Sequence, residues 1–129
     1  MSVWVPLTDA TIDNGCMEFV AGSHKSDVIA HQSIRNDPRI HGLELTPAAF
    51  AAMRKPIACP IPAGGATVHT AYTLHHTGPN LTDEPRRALI LFGVLPGEPR
   101  DPPLDQPWMR EKKTARLERE SAHRATQRD

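Results

Sequence analysis

Short runs of alternating apolar and polar positions recur along the chain, cut by proline and glycine. Val3 to Leu7 alternates around Trp4 and predicts a strand, with Pro6 marking an edge or a strand end. Thr8 to Gly15 is turn chemistry, and Asn14-Gly15 adopts positive φ at low cost. Cys16 to Val20 predicts a second strand, and Ala21-Gly22-Ser23-His24-Lys25 leaves it through small residues. Residues 26–46 lack periodicity and predict a long connecting loop carrying His31, Asp37-Pro38 and His41; loops of that length act as lids or stay disordered.

Thr46 to Arg54 then changes period. Thr46 is placed to cap a short helix, Pro47 sits at its first position, alanines fill it, and Pro56 stops it. Ile57 to Ile61 predicts a strand interrupted by Pro60, and Pro62 to Gly65 a turn. Ala66 to His69 and Thr73 to His76 read as strand pieces on either side of a kink. Thr77 to Pro85 is a loop, Arg87 to Leu95 is the strongest strand signal, and Pro96-Gly97 breaks it. Many short strands punctuated this way predict a mainly β barrel or sandwich.

The expected organisation is a β domain over residues 1–96, a proline-rich linker over 97–107 and a charged C-terminal helix or tail over 108–129. In that tail Trp108, Ala115, Leu117 and Ala122 make only a weak apolar face, and Arg116, Glu120 and Arg124 stand at i, i+4 spacing. No internal repeat is visible.

Composition narrows the function classes. At 129 residues one domain with a modest core is expected, and the hydrophobic fraction of 39% allows it to fold. Formal net charge is zero, so there is no electrostatic case for nucleic acid or an anionic membrane. The apolar runs fall far short of the ~20 residues a membrane span needs. Met1 to Leu7 lacks the basic region of a signal peptide, so a cytoplasmic protein is expected. Cys16 and Cys59 are too few for a disulfide framework and are expected to be reduced.

The candidate chemistry concentrates between Val68 and Arg87. His69, His75 and His76 place three of the seven histidines within eight residues, and Arg86-Arg87 follows the next turn. Imidazole suits divalent iron, copper, nickel and zinc, and a fixed guanidinium fork suits a carboxylate. In an unbroken strand His69 would share a face with His75, while His76 would point away. Arg87 alternates away from Arg86 and reads as a solvated charge. Trp4 and Met17 read first as core and second as pocket lining.

Five stretches resemble the phytanoyl-CoA dioxygenase family over roughly residues 3–95. They are Val3 to Thr11, Asn14-Gly15-Cys16-Met17, Ala21-Gly22-Ser23-His24-Lys25, Pro62 to Thr67, and Thr73-Leu74-His75 through Gly78-Pro79-Asn80 to Arg86-Arg87-Ala88. The resemblance implies a double-stranded β-helix, the jelly-roll or cupin-like barrel, that uses Fe(II) and 2-oxoglutarate to hydroxylate a small organic or acyl substrate. By position, His75 is similar to the distal metal histidine of that family, and Arg86 to the arginine that pairs with the far carboxylate of 2-oxoglutarate. Thr77 stands two residues beyond His75, so its hydroxyl would face the same way and assist that carboxylate. His24 matches a loop position rather than a ligand.

The family's other iron ligands form His-x-Asp or His-x-Glu, and this sequence has neither. Two residues beyond each histidine stand Ser26, Ser33, Leu43, Ala71, Thr77, Gly78 and Ala125. One histidine cannot hold Fe(II) in a facial site, and a barrel lacking its first strands leaves unpaired edges. The expectation is therefore a barrel incomplete on its N-terminal side: a truncated or inactive form, or one completed by a second copy or a partner chain at an open sheet edge. Two further readings stand beside it. One is a non-catalytic barrel, structural or holding a small anion through Arg86. The other is a metal site built from His69, His75 and His76, against which strand parity argues.

Overall fold

The computed structural model describes residues 1–40, 42–94, 97, 104–110, 113–115, 118–119 and 123. They fall into two compact units, Met1–Ser26 with Arg54–Glu98, and Asp27–Met53 with Pro99–Asp129. The fold is mainly β, with antiparallel pairing throughout and only short helical segments among the described residues.

The first unit holds two three-stranded sheets. In one, β1 (Ser2–Pro6) lies between β6 (Thr67–His69) and β8 (Ala88–Phe92). Pro6 closes a central strand rather than marking an edge: it sits opposite Ala88, and its carbonyl, the only backbone hydrogen-bonding group a proline has, accepts Gly64 N at 2.9 Å. In the other sheet β2 (Met17–Phe19) lies between β5 (Ile57–Cys59) and β7 (His75–Thr77). The core forms where Trp4 of β1 meets Met17 of β2, with Ala10 and Cys16 buried beside them and Phe19, Ala58, Ile61 and Ala88 packed around.

The predicted kink between Ala66–His69 and Thr73–His76 is a change of sheet. β6 pairs with β1, while β7 pairs with β2. The corner between them closes where Thr73 N donates to Thr70 O at 3.1 Å, their hydroxyls lying 3.2 Å apart. His69 and His75 therefore belong to different sheets, and the single-strand parity argument does not apply to them.

The second unit corrects the expectation of a structureless loop over 26–46. β3 (His31–Ser33) and β4 (Leu43–Leu45) pair antiparallel, with Gln32 opposite Glu44 and their side chains bonded at 2.9 Å. Strands of three residues are too short to show a period, and the connection turns through Arg35 and Asn36 at φ 57° and 54°. The predicted helix is present as α1 (Pro47–Ala52), with Thr46 Oγ1 accepting from Ala49 N at 3.4 Å and Pro47 in its first turn. α2 (Pro107–Arg110) brings Trp108 against the His31 ring, centroids 5.3 Å apart. Ala115, Glu118, Arg119 and His123 are helical. Arg116, Leu117, Glu120, Ala122 and Arg124 lie outside the described residues, as does the linker between Glu98 and Pro103.

Candidate functional site

Register across β2 decides which side chains share a face. Phe19 stands opposite His75 and Met17 opposite Thr77, so His75 and Thr77 lie on the face that carries Met17 and Phe19. His76 stands opposite Glu18 on the other face, its Nε2 3.5 Å from a Glu18 carboxylate oxygen. The alternation read from sequence thus holds within β7. On the facing sheet, His69 stands opposite Ser2 and lies on the same side as Trp4.

The two sheets bring three rings together there. His69 and His75 have centroids 4.3 Å apart, and Phe19 lies 5.2 Å from His69 and 6.1 Å from His75. His75 is exposed, and Thr73 O accepts from its Nδ1 at 2.7 Å. Because a carbonyl can only accept, Nδ1 is the donor here, so in the neutral ring the lone pair lies on Nε2, the form in which imidazole binds a metal. His69 is 8% exposed, and its Nδ1 is buried without a partner. Burial first, then the neighbouring His75 and the N-terminal ammonium, hold its pKa below the ordinary histidine value, so it stays neutral near pH 7. Thr77 is exposed and sits next to Gly78 at the end of β7.

Arg86 enters from the segment before β8. Its Nε donates to Asn14 O at 3.1 Å, and its guanidinium carbon lies 5.2 Å from the centroid of the Trp4 ring. No other hydrogen bond of Arg86 is made among the described residues, which leaves the terminal nitrogens of the fork for an anion. Arg87 is exposed and contributes its carbonyl to Leu7 N at 2.9 Å.

The loops that looked like motifs hold these strands in place. Gly15, at φ 79°, packs so tightly on the loop after β7 that an added Cβ would sit 2.5 Å from Gly78 O. Leu81 N donates to Asp13 O at 2.8 Å across the same contact. Ser23, buried in the Gly-Ser-His-Lys turn, accepts from Leu74 N at 2.8 Å and so ties that turn to the residue before β7, while His24 stays exposed. Among the described residues no group of three or more His, Cys, Asp or Glu is placed to hold a metal ion. Sequence reading did not find the ring cluster around Phe19, because the pairing that forms it joins strands distant in the chain.

The Phytanoyl-CoA dioxygenase (PhyH) family model matches residues 1–88. Phytanoyl-CoA dioxygenase domain-containing protein 1 from Danio rerio is 30% identical over 104 residues, 76% of this chain and 34% of the relative. The Rattus norvegicus protein of the same name is 30% identical over 92 residues, 68% of this chain and 31% of the relative. Among solved structures, EvdO2 from Micromonospora carbonacea var. aurantiaca matches with 42% identity and a TM-score of 0.57, covering 69% of this chain and 35% of EvdO2. A second EvdO2 structure, complexed with 2-oxoglutarate, matches equally. The chain thus spans about a third of the length of these relatives.

Proposed function

The chain belongs to the phytanoyl-CoA dioxygenase family, and on that premise we propose that it carries the distal half of an Fe(II)- and 2-oxoglutarate-dependent oxygenase site. The carrying observation is His75 on the Phe19 face with its Nδ1 bonded to Thr73 O, together with the held guanidinium of Arg86. His75 would be the iron ligand, and Arg86 would receive the far carboxylate of 2-oxoglutarate, with the Thr77 hydroxyl as a second contact. The 2-oxoglutarate complex of EvdO2 supports that choice of cosubstrate. The two facing antiparallel sheets form part of a double-stranded β-helix in this reading.

The described residues fit the cosubstrate anchor but not a complete iron centre. His69 is the nearest second imidazole, and no carboxylate joins it and His75 among the described residues. Bound iron with 2-oxoglutarate supplies the oxidising chemistry of this family; the residues here supply one ligand, an anion clamp and an apolar wall. Ile90 and Phe92 belong to that wall, being on the Trp4 face of β8 and 64% and 70% exposed, so a small organic or acyl substrate would lie against them.

Two measurements test the reading. 2-Oxoglutarate should raise the melting temperature of the chain, and Arg86→Ala should abolish the rise; equal melting curves with and without ligand would favour a purely structural barrel. With Fe(II) and 2-oxoglutarate added, the 129-residue chain alone should release little succinate. Sustained succinate release would show that the chain completes an iron site by itself and overturn the half-site reading.

A further inference from the structure

We infer that Trp4 and the Asn14-Gly15 turn are positioning residues for the anion fork: they hold the Arg86 guanidinium in one orientation before any ligand arrives. This rests on the assignment of Arg86 as the carboxylate anchor.

Arginine has four rotatable side-chain bonds, and immobilising such a side chain on binding weakens affinity unless it is already held. Here it is held on two sides by different interactions. Trp4 is 4% exposed, and its ring presents a face to the guanidinium carbon at 5.2 Å, within the range of a cation–π contact. The Asn14 carbonyl takes the Nε hydrogen at 3.1 Å. Together these fix the plane of the guanidinium and its rotation within that plane. Bidentate recognition of a carboxylate needs only the two outward N–H groups of the fork, so the held side chain loses no donor that the ligand requires.

The carbonyl is in turn fixed by its own turn. Asn14 Oδ1 accepts Thr11 N at 2.8 Å, and Asn14 Nδ2 donates to Asp9 O at 2.8 Å. Gly15 at φ 79° lets the chain pass against Gly78 without a side chain between them. The loop that follows β7 and the turn that carries the Asn14 carbonyl are therefore in direct contact. The position of the fork relative to the end of β7 is set by this contact as well as by β8.

The decisive experiment reads the arginine directly and needs no ligand. In the nitrogen–proton correlation spectrum of the wild-type chain, the Arg86 Nε–Hε signal, assigned by its loss in Arg86→Lys, should be displaced from the exposed-arginine position and slow to exchange with solvent. In Trp4→Leu the upfield contribution of the ring should be lost, moving the signal downfield, and Trp4→Phe should restore part of it. An Arg86 Hε at the exposed-arginine position with fast exchange in the wild type overturns the inference, whichever variants fold.

2-Oxoglutarate titrations of the same proteins separate this inference from the functional reading. A held fork predicts roughly fivefold weaker binding in Trp4→Leu and recovery to within about twofold in Trp4→Phe, the span expected for one cation–π contact. If Arg86→Ala removes binding while Trp4→Leu binds as tightly as wild type, Trp4 is core only and the positioning role is lost. If the Arg86 signal is held and responds to Trp4 while Arg86→Ala binds 2-oxoglutarate like wild type, the cradle stands and the choice of anion fails.

Discussion

Single residues on the inner face account for most of the chemistry. His69 shows how placement changes a group without changing its identity. Its folded pKa is depressed by burial, so the unfolded chain binds the proton more readily than the native one. Stability from this group is present above the ordinary histidine value and is lost as pH falls through the folded value. In chelator, the melting temperature should therefore drop as pH is lowered from 7 to 5, and His69→Gln should flatten that dependence. A native chain whose melting curve ignores pH across this window would remove the effect. Burial likewise raises the Cys16 thiol, which is 2% exposed, while Cys59 is partly exposed. Iodoacetamide should then modify Cys59 in the native protein well before Cys16, as read by peptide mass; equal rates at both would contradict the packing.

At the scale of elements, turns carry as much of the design as strands. Gly15 combines a left-handed conformation with a 2.5 Å approach of a would-be Cβ to Gly78 O, and both objections apply to any substitution. Gly15→Ala should cost roughly 1–3 kcal/mol by strain and displacement of the loop after β7, seen as a lower denaturation midpoint with weakened 2-oxoglutarate binding. Gly64 also has positive φ, 78°, but meets nothing within contact distance. Gly64→Ala should accordingly cost less than Gly15→Ala, and the difference between the two isolates the loop contact from the backbone strain. The predicted turns and the α1 cap were legible because proline, glycine and threonine act locally. The β3–β4 pair was not, because three residues are too few to carry a period and their partners stand across a turn that Arg35 and Asn36 make without glycine.

At the scale of the whole molecule, the strand with the strongest apolar signal is also among the least covered. Leu89, Ile90, Leu91 and Phe92 are 49–70% exposed, and β8 is the outer strand of its sheet among the described residues. An apolar edge with unpaired backbone groups invites another strand, and we propose that a second copy meets this edge. Antiparallel pairing of β8 with itself about Ile90 would place the Arg86-Arg87 ends far apart. Light scattering should show concentration-dependent self-association of the 129-residue chain, reduced by Leu91→Lys. A monomer at all concentrations would leave that edge to other chains. Among the described residues no helix is long and apolar enough to cross a membrane.

The sequence alone determined the class of fold, the helix and most of the turns, the opposed faces of His75 and His76, and the family to which the chain belongs. All of these depend on local rules, on a period of two within one strand, or on motif order, and such information is written in neighbouring residues. The encounter of His69 with His75, the ring of Phe19 between the sheets, and the hold of Trp4 and Asn14 on Arg86 were decided by tertiary structure. Asn14 and Arg86 are 72 positions apart, and His69 and His75, only six apart, lie on strands of different sheets. They come together only when β6 and β7 part into different sheets and the two sheets close on a common core.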